Sequence, residues 1–382
     1  MLEKHPRGRR LRAWLGLRRR DYLILPAIFA LTPLLLLGLA EAVLYYPFYE
    51  QPRDACMVTD PVLGHKPKPN CRSRYKIVDS AWIENRYNDC GYRTAESCGP
   101  KPAGAIRAAV IGSSISAGYM VPYRQMFTTR AAADLTRDCR RPVEFQDLGG
   151  IGYQWERLYA RMQEALALKP DLLVLAVTPF DMEEGVAKPP DLAARPEGLV
   201  ARVRSALQSQ FKGSTLWEAL IYFKLLDPQF YLRTFLNDAR ASGYMRTPLS
   251  PFWQSRISAL DKLLGQISAA SHAAGVPFVL LYVPPRPQIL LLNRAANYPD
   301  MKPMELESMI GAEAAQAGIN YIDLTGTFQA VSNTNSVFFT LSDHPTGLGH
   351  KLIADKLVAR LLSAGIPPLA GCSMAGAEAR SG

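Results

Sequence analysis

Two kinds of apolar pattern alternate along most of this chain. Strand-like apolar runs fall at 106–112, 143–148, 171–177, 277–284 and 320–324. Between and after them, amphipathic patterns of helical period fall near 125–138, 154–168, 252–274, 304–317 and 346–364. Strands that alternate with helices predict an α/β fold, a parallel sheet covered by helices on both faces. Right-handed crossovers then carry the ends of the first three strands to one sheet edge, where ligands of such sheets bind.

One stretch breaks the alternation. Residues 182–250 open on Pro189-Pro190 and continue with amphipathic segments at Leu199–Phe211, Ser214–Leu226 and Phe230–Ala239. The core needs one helix here, so the stretch reads as a helical insertion. Its aromatic residues (Trp217, Tyr222, Phe223, Phe230, Tyr231, Phe235) predict a helical pair packing an apolar stripe onto the domain. A lid over a site, or a surface resting on a membrane, is the alternative. Residues 44–104, rich in Pro, Cys, Arg and Asn, show little periodicity and read as a disulfide-stapled lead-in. The main domain is expected over 105–365, with a small-residue tail at 366–382.

The N-terminus changes the picture. From Tyr22 to Ala40 run 19 residues without a charge. That approaches the roughly 20 residues that cross a bilayer, and we expect an anchor over 22–43. Residues 1–20 carry eight Lys/Arg against one Glu, a net +7 of the whole chain's +10. A basic stretch before an apolar run predicts a cytoplasmic N-terminus, with 1–21 a cytoplasmic tail. Tyr45, Tyr46, Phe48 and Tyr49 fit an aromatic belt at the far interface. A cleaved signal peptide ending near Ala40-Glu41-Ala42 is the alternative. In both readings residues 50–382 lie outside the cytoplasm, beyond an inner membrane crossed once. The rest of the chain is close to charge balance and implies no nucleic-acid partner.

Six cysteines (Cys56, Cys71, Cys90, Cys98, Cys139, Cys372) agree with export. An even number in an exported chain suggests disulfides. Cys56–Cys71 and Cys90–Cys98 would close local loops, and Cys139–Cys372 would pin the tail, although six cysteines allow 15 full pairings. No Cys-x-x-Cys or His-x-x-x-His spacing points to zinc, and no metal or organic cofactor is expected.

Candidate chemistry sits at two places. The first strand runs into Gly112-Ser113-Ser114-Ile115-Ser116-Ala117-Gly118, a small-residue turn well suited to present a nucleophile. Far downstream, Ser342-Asp343-His344-Pro345 precedes the last helical run. Ser114 and His344 form a plausible nucleophile–base pair.

These segments resemble the SGNH/GDSL hydrolases over roughly residues 83–365. The first block of that family, Gly-Asp-Ser with a following Ser/Thr and Gly, matches at Gly112, Ser114, Ser116 and Gly118, with Ser113 in place of Asp. The second block is similar to Asp147-Leu148-Gly149-Gly150-Ile151-Gly152-Tyr153, with Asp147 in place of Asn. The last block matches at His344-Pro345. Upstream, Asn88-Asp89-Cys90-Gly91-Tyr92-Arg93 is similar to a segment seen in membrane-anchored members. The resemblance implies a three-layer αβα, flavodoxin-like sheet and a serine mechanism on an ester. Ser114 would be the nucleophile, His344 the base, and the backbone N–H groups of Ser114 and Gly152 oxyanion donors. Two departures bear on the chemistry. Phe180 stands in Thr178-Pro179-Phe180-Asp181 where the family has an oxyanion Asn. The usual acid positions before the histidine hold Leu341 and Ser342, leaving Asp343 as the nearest carboxylate. Phe180 and Arg286 (in Pro284-Pro285-Arg286-Pro287) are expected near the substrate, although a solvated loop is an ordinary place for such an arginine. Asp181 and Asp323 read as structural acceptors, and His350 as a helix-face residue. The implied substrate is an acylated envelope glycan or lipid. An O-acyltransferase using the same site, or a catalytically inactive binding protein of the envelope, are the alternatives.

Overall fold

The computed structural model describes residues 18, 20–51, 54–183, 214–294 and 297–372. Most of the basic tail, Pro189-Pro190, the segment Leu199–Phe211 and the chain beyond Cys372 lie outside them. The chain divides into two compact units, residues 1–49 with 199–220 and residues 50–198 with 221–382.

In the first unit, α1 (Asp21–Phe48) is a 28-residue helix with a mean hydropathy of 2.4 over its most apolar window. None of that window is buried against protein, and by length and composition the helix can cross a membrane. The expected helix ends near residue 43; the observed one runs on through Tyr45 and Tyr46. Near its C-terminal end the Glu41 carboxylate accepts from the backbone N–H groups of Thr215 (2.7 Å) and Leu216 (2.8 Å).

The second unit opens with two hairpins that the sequence pattern does not announce. Strands β1 (Met57–Asp60) and β2 (Gly64–Pro67) pair antiparallel, as do β3 (Arg72–Tyr75) and β4 (Ile83–Arg86). Each strand is four residues long, too short to leave an alternation among prolines and cysteines. Next come β5 (Ile106–Gly112), α2 (Phe127–Cys139), β6 (Val143–Asp147), α3 (Trp155–Ala167), β7 (Leu172–Val177) and the short α4 (Pro179–Glu183). The described part of the insertion forms α5 (Thr215–Leu225) and α6 (Pro228–Leu236). Asp227 starts α6 by accepting from Gln229 N–H (3.0 Å), with Pro228 in the first turn. The chain closes with α7 (Pro251–Ala273), β8 (Phe278–Tyr282), α8 (Arg286–Leu292), α9 (Glu305–Gln316), β9 (Asn320–Asp323), α10 (Thr325–Gln329), α11 (Thr334–Val337) and α12 (Gly347–Ser363).

Strands β5 to β9 form one parallel sheet in the order β6-β5-β7-β8-β9. Taken in chain order this is 2-1-3-4-5, the flavodoxin-like order. The expected fold class is borne out. Every residue of β5, β6, β7 and β8 is buried, as parallel strands covered on both faces require. Alternate β5 residues feed two cores. Ala109 and Ile111 pack with Leu158, Met162, Trp253 and Ile310 of α3, α7 and α9. Ala108 and Val110 pack with Phe127, Leu135, Ile353 and Leu357 of α2 and α12. The six cysteines form three disulfides, Cys56–Cys71, Cys90–Cys98 and Cys139–Cys372.

Candidate active site

The chain reverses its strand order between β5 and β7, and ligands of such sheets bind at that switch point, beyond the strand C-termini. Ser114 lies two residues past β5. The turn that holds it needs glycine. A Cβ on Gly112 would meet the Ala176 carbonyl at 2.8 Å, and one on Gly149 would meet the Ala117 nitrogen at 2.5 Å. The turn is also held from outside. The buried Arg93 donates to the carbonyls of Ala117, Gly118 (2.6 Å) and Val121 (2.7 Å), while its own N–H bonds the Asp147 carbonyl (3.0 Å). The Asn88–Arg93 segment thus ties the end of β6 to the serine turn. Ser113 donates to Asp181, which also accepts from Thr178 N–H (3.0 Å). Ser113 thus sets a hydroxyl, not a second carboxylate, against Asp181.

His344 arrives from the other direction. A bridge between Phe338 and Pro345 closes the loop before α12, whose first turn is capped by Thr346. The imidazole Nε2 lies 2.8 Å from Ser114 Oγ, and Nδ1 lies 3.0 Å from the Ser342 carbonyl. A carbonyl can only accept, so Nδ1 carries the proton and Nε2 presents a lone pair to the serine. Burial depresses the imidazole to about 4, so it is neutral at neutral pH. Tyr119 meets the ring edge-on at 4.9 Å.

Asp343 does not stand behind the imidazole. Its backbone is left-handed (φ 58°), which turns the carboxylate away from the ring of its neighbour. It accepts from the Tyr231 hydroxyl of α6 and from Arg286 Nη1 (3.3 Å). Burial raises its carboxyl to about 6, against the pull of Arg286 and Tyr231. The expectation for Arg286 needs the same correction. It is fully buried, neither solvated nor open to substrate. It donates to the carbonyls of Thr340 (3.0 Å) and Leu225 (2.7 Å) and to Asn335 Oδ1 (2.9 Å), and lies 4.1 Å from the Tyr231 ring centre. A buried guanidinium persists where acceptors surround it, and the first residue of α8 puts it among four. From the lead-in, Asp79 accepts from Leu341 N–H (3.0 Å) and fixes the same loop.

Ser114, His344 and Phe180 line one cavity of 390 Å³ with Ile115, Thr178, Pro284, Pro285 and Phe338. Its walls are mostly apolar, and Phe180 is one of them. Gly152 follows β6 with a positive φ of 67°. Neither its N–H nor that of Ser114 bonds to an acceptor among the described residues. The Thr178 hydroxyl, buried in the same wall, also has no described partner. Asp323 accepts from Thr325, and His350 is buried, where its Nδ1 accepts from Phe127 N–H (3.3 Å). Sequence reasoning missed Tyr231, Asp79 and Thr178. Only Thr178, directly before the Pro179-Phe180-Asp181 match, carried a local signal.

No protein-family model matches the chain, and no curated protein does. Among solved structures it is similar to a lipase/acylhydrolase from Enterococcus faecalis, with 15% identity over 68% of this chain and 96% of that one, at a TM-score of 0.38. It is similar as well to a member of the lipolytic protein G-D-S-L family from Veillonella parvula, with 14% identity over 66% and 97% of the two chains and a TM-score of 0.36. A third is the psychrotrophic esterase EstA from Pseudoalteromonas sp., with 10% identity over 68% and 97% and a TM-score of 0.37.

Proposed function

We infer that the chain is a serine ester hydrolase in which Ser114 is the nucleophile and His344 the general base. The observation that carries this reading is the 2.8 Å approach of Ser114 Oγ to a neutral imidazole whose other nitrogen is already bonded. Ser114 Oγ attacks the ester carbonyl carbon as its proton passes to His344 Nε2. The oxyanion that forms would take the N–H groups of Ser114 and Gly152, which no described acceptor occupies. Phe180 has no side-chain donor to add. Nε2 then returns the proton to the leaving alkoxide, the C–O bond breaks and an acyl-serine remains. Water, deprotonated by the same nitrogen, releases the acid and restores the serine. During each step the imidazolium is steadied by the Ser342 carbonyl dipole rather than by a carboxylate. The acyl group would sit against the apolar wall of Phe180, Pro284 and Pro285.

In this reading α1 crosses the inner membrane once, with the basic tail cytoplasmic and the second unit outside, on an acylated envelope glycan or lipid. Transfer of the acyl group to a sugar hydroxyl uses the same intermediate and differs only in the acceptor. The purified chain, tested on p-nitrophenyl acetate and butyrate, is expected to release p-nitrophenol above the water rate. Ser114→Ala and His344→Ala should each lose that release. Equal release by the wild type and both variants would sink the reading.

A further inference from the structure

The outer face of the β3–β4 hairpin carries two charges, on Arg72 and Arg86, that no described residue pairs. The antiparallel register sets Arg72 directly opposite Arg86, and both side chains are exposed. Directly opposed residues hold their Cβ atoms about 5 Å apart, and like charges in that position destabilise a hairpin. The next outward pair obeys the opposite rule: Arg74 faces Glu84 and also lies 4.4 Å from the Trp82 ring centre. Neither Arg72 nor Arg86 makes an ion pair or side-chain hydrogen bond with a described residue. The second unit is close to charge balance, so this like-charged pair is a local feature.

Both arginines line a groove of 350 Å³ with Asn70, Tyr87, Asp89 and Ser97 among its walls. One carboxylate stands in it. Asp89 accepts from Ser97 Oγ (2.6 Å) and Cys98 N–H (2.9 Å), which hold its carboxyl below the usual range. Its charge is therefore kept and its acceptors are engaged, while two guanidinium groups remain unpaired. The groove is also pre-organised. Cys71, next to Arg72, is tied to Cys56, and Cys90–Cys98 closes the opposite wall. The Asn70 N–H bonds the Asn88 carbonyl (2.7 Å), and Tyr87 N–H bonds that of Cys71 (2.9 Å). A rigid, concave site with two unpaired, bidentate-capable guanidinium groups suits planar or tetrahedral oxyanions.

We propose that this groove binds an anionic polymer through carboxylate or phosphate groups on its repeating units. A bilayer of anionic lipid offers similar headgroups, but no large apolar side chain between residues 68 and 98 is exposed to enter it. Its lining shares no residue with the Ser114 cavity, and anion binding there does not depend on how the ester site works.

The test uses the full chain in detergent with polygalacturonate as the anionic polymer, dextran as a neutral one, and phosphatidylglycerol vesicles. The comparison is between wild type and Arg72→Gln/Arg86→Gln, so the basic tail contributes equally to both. Expected is binding of polygalacturonate that weakens about tenfold or more in the double variant. Its log–log salt slope should fall by about 1.4, two contacts at about 0.7 each. The variant's melting temperature should stay level or rise, because a like-charged pair has been removed. Equal binding by both proteins, or equal binding of dextran, would overturn the proposal. So would a loss in the variant that appears on vesicles and not on polygalacturonate. A melting temperature lowered by several degrees would assign the arginines to the hairpin's stability instead.

Discussion

Ser114 and His344 meet at one point but are held there in different ways. The serine turn hangs from the end of a buried parallel strand and is fixed by backbone. Gly112 and Gly149 allow close approach, and Arg93 gathers three carbonyls. The histidine loop is fixed by side chains from distant parts of the chain. Asp79 comes from the lead-in, Tyr231 from the insertion and Arg286 from the start of α8. The first arrangement depends on close backbone packing around the turn, clamped by Arg93 and Asp181. The second depends on a buried charge cluster that can be taken apart one group at a time.

Removing the proposed nucleophile separates chemistry from support most sharply. Ser114→Ala should reduce ester turnover by about 10³-fold or more, while its urea unfolding midpoint stays close to that of wild type. Arg286→Met attacks the histidine side alone. It strands a buried carboxylate and three other acceptors, and should cost about 3–5 kcal/mol in urea unfolding. If the two sides are independent as described, its Ser114 turn stays intact by hydrogen exchange at residues 113–119. Protection lost equally at both sides would break the comparison.

Phe180→Asn would sharpen it from the serine side. An amide donor at the cavity wall should raise kcat by about tenfold or more, since one oxyanion donor is worth about 10²–10³ elsewhere. An unchanged kcat would mean that the oxyanion does not reach the side chain at position 180.

The pH dependence differs between the two sides. With His344 depressed to about 4, kcat/KM should hold at acid pH and fall only near pH 4, below an ordinary histidine's limb. Asp343 runs the other way. Its carboxyl is raised from 3.8 to about 6, so its contribution to stability is greatest below pH 4 and is lost as pH rises through 6. Asp343→Asn should therefore gain on wild type by about 2 kcal/mol between pH 4 and pH 7, measured as the difference in unfolding free energy. A difference that is flat with pH would contradict this. The smallest effect is expected from Tyr231→Phe, about 1.5 kcal/mol for one lost hydrogen bond to a charged group, with little change in KM.

The sheet was legible because its strands are runs such as Ala108–Ile111 and Leu172–Val177, whose pattern follows from burial on both faces. Ser114 and His344 were legible because each sits in a short motif beside a strand or helix end. The support of the histidine loop was not. Tyr231 and Asp343 are 112 positions apart, and nothing in an aromatic insertion marks one tyrosine as a carboxylate partner. Arg286, in a proline-rich segment, reads as loop. It is buried because α8 starts there and turns it toward carbonyls that no local pattern reveals. The lead-in hairpins escaped for a simpler reason: four-residue strands such as β3 and β4 carry too few positions to show a period.

Ester hydrolysis here requires an activated serine at the end of β5, and covalent labelling detects one. The full chain, oxidised and folded, is treated with a fluorophosphonate probe and digested, and the modified peptide is identified by mass spectrometry. The account predicts a single adduct on Ser114, formed at pH 7 and absent in His344→Ala. A folded wild-type protein that takes up no probe, or takes it up at another serine, would contradict it.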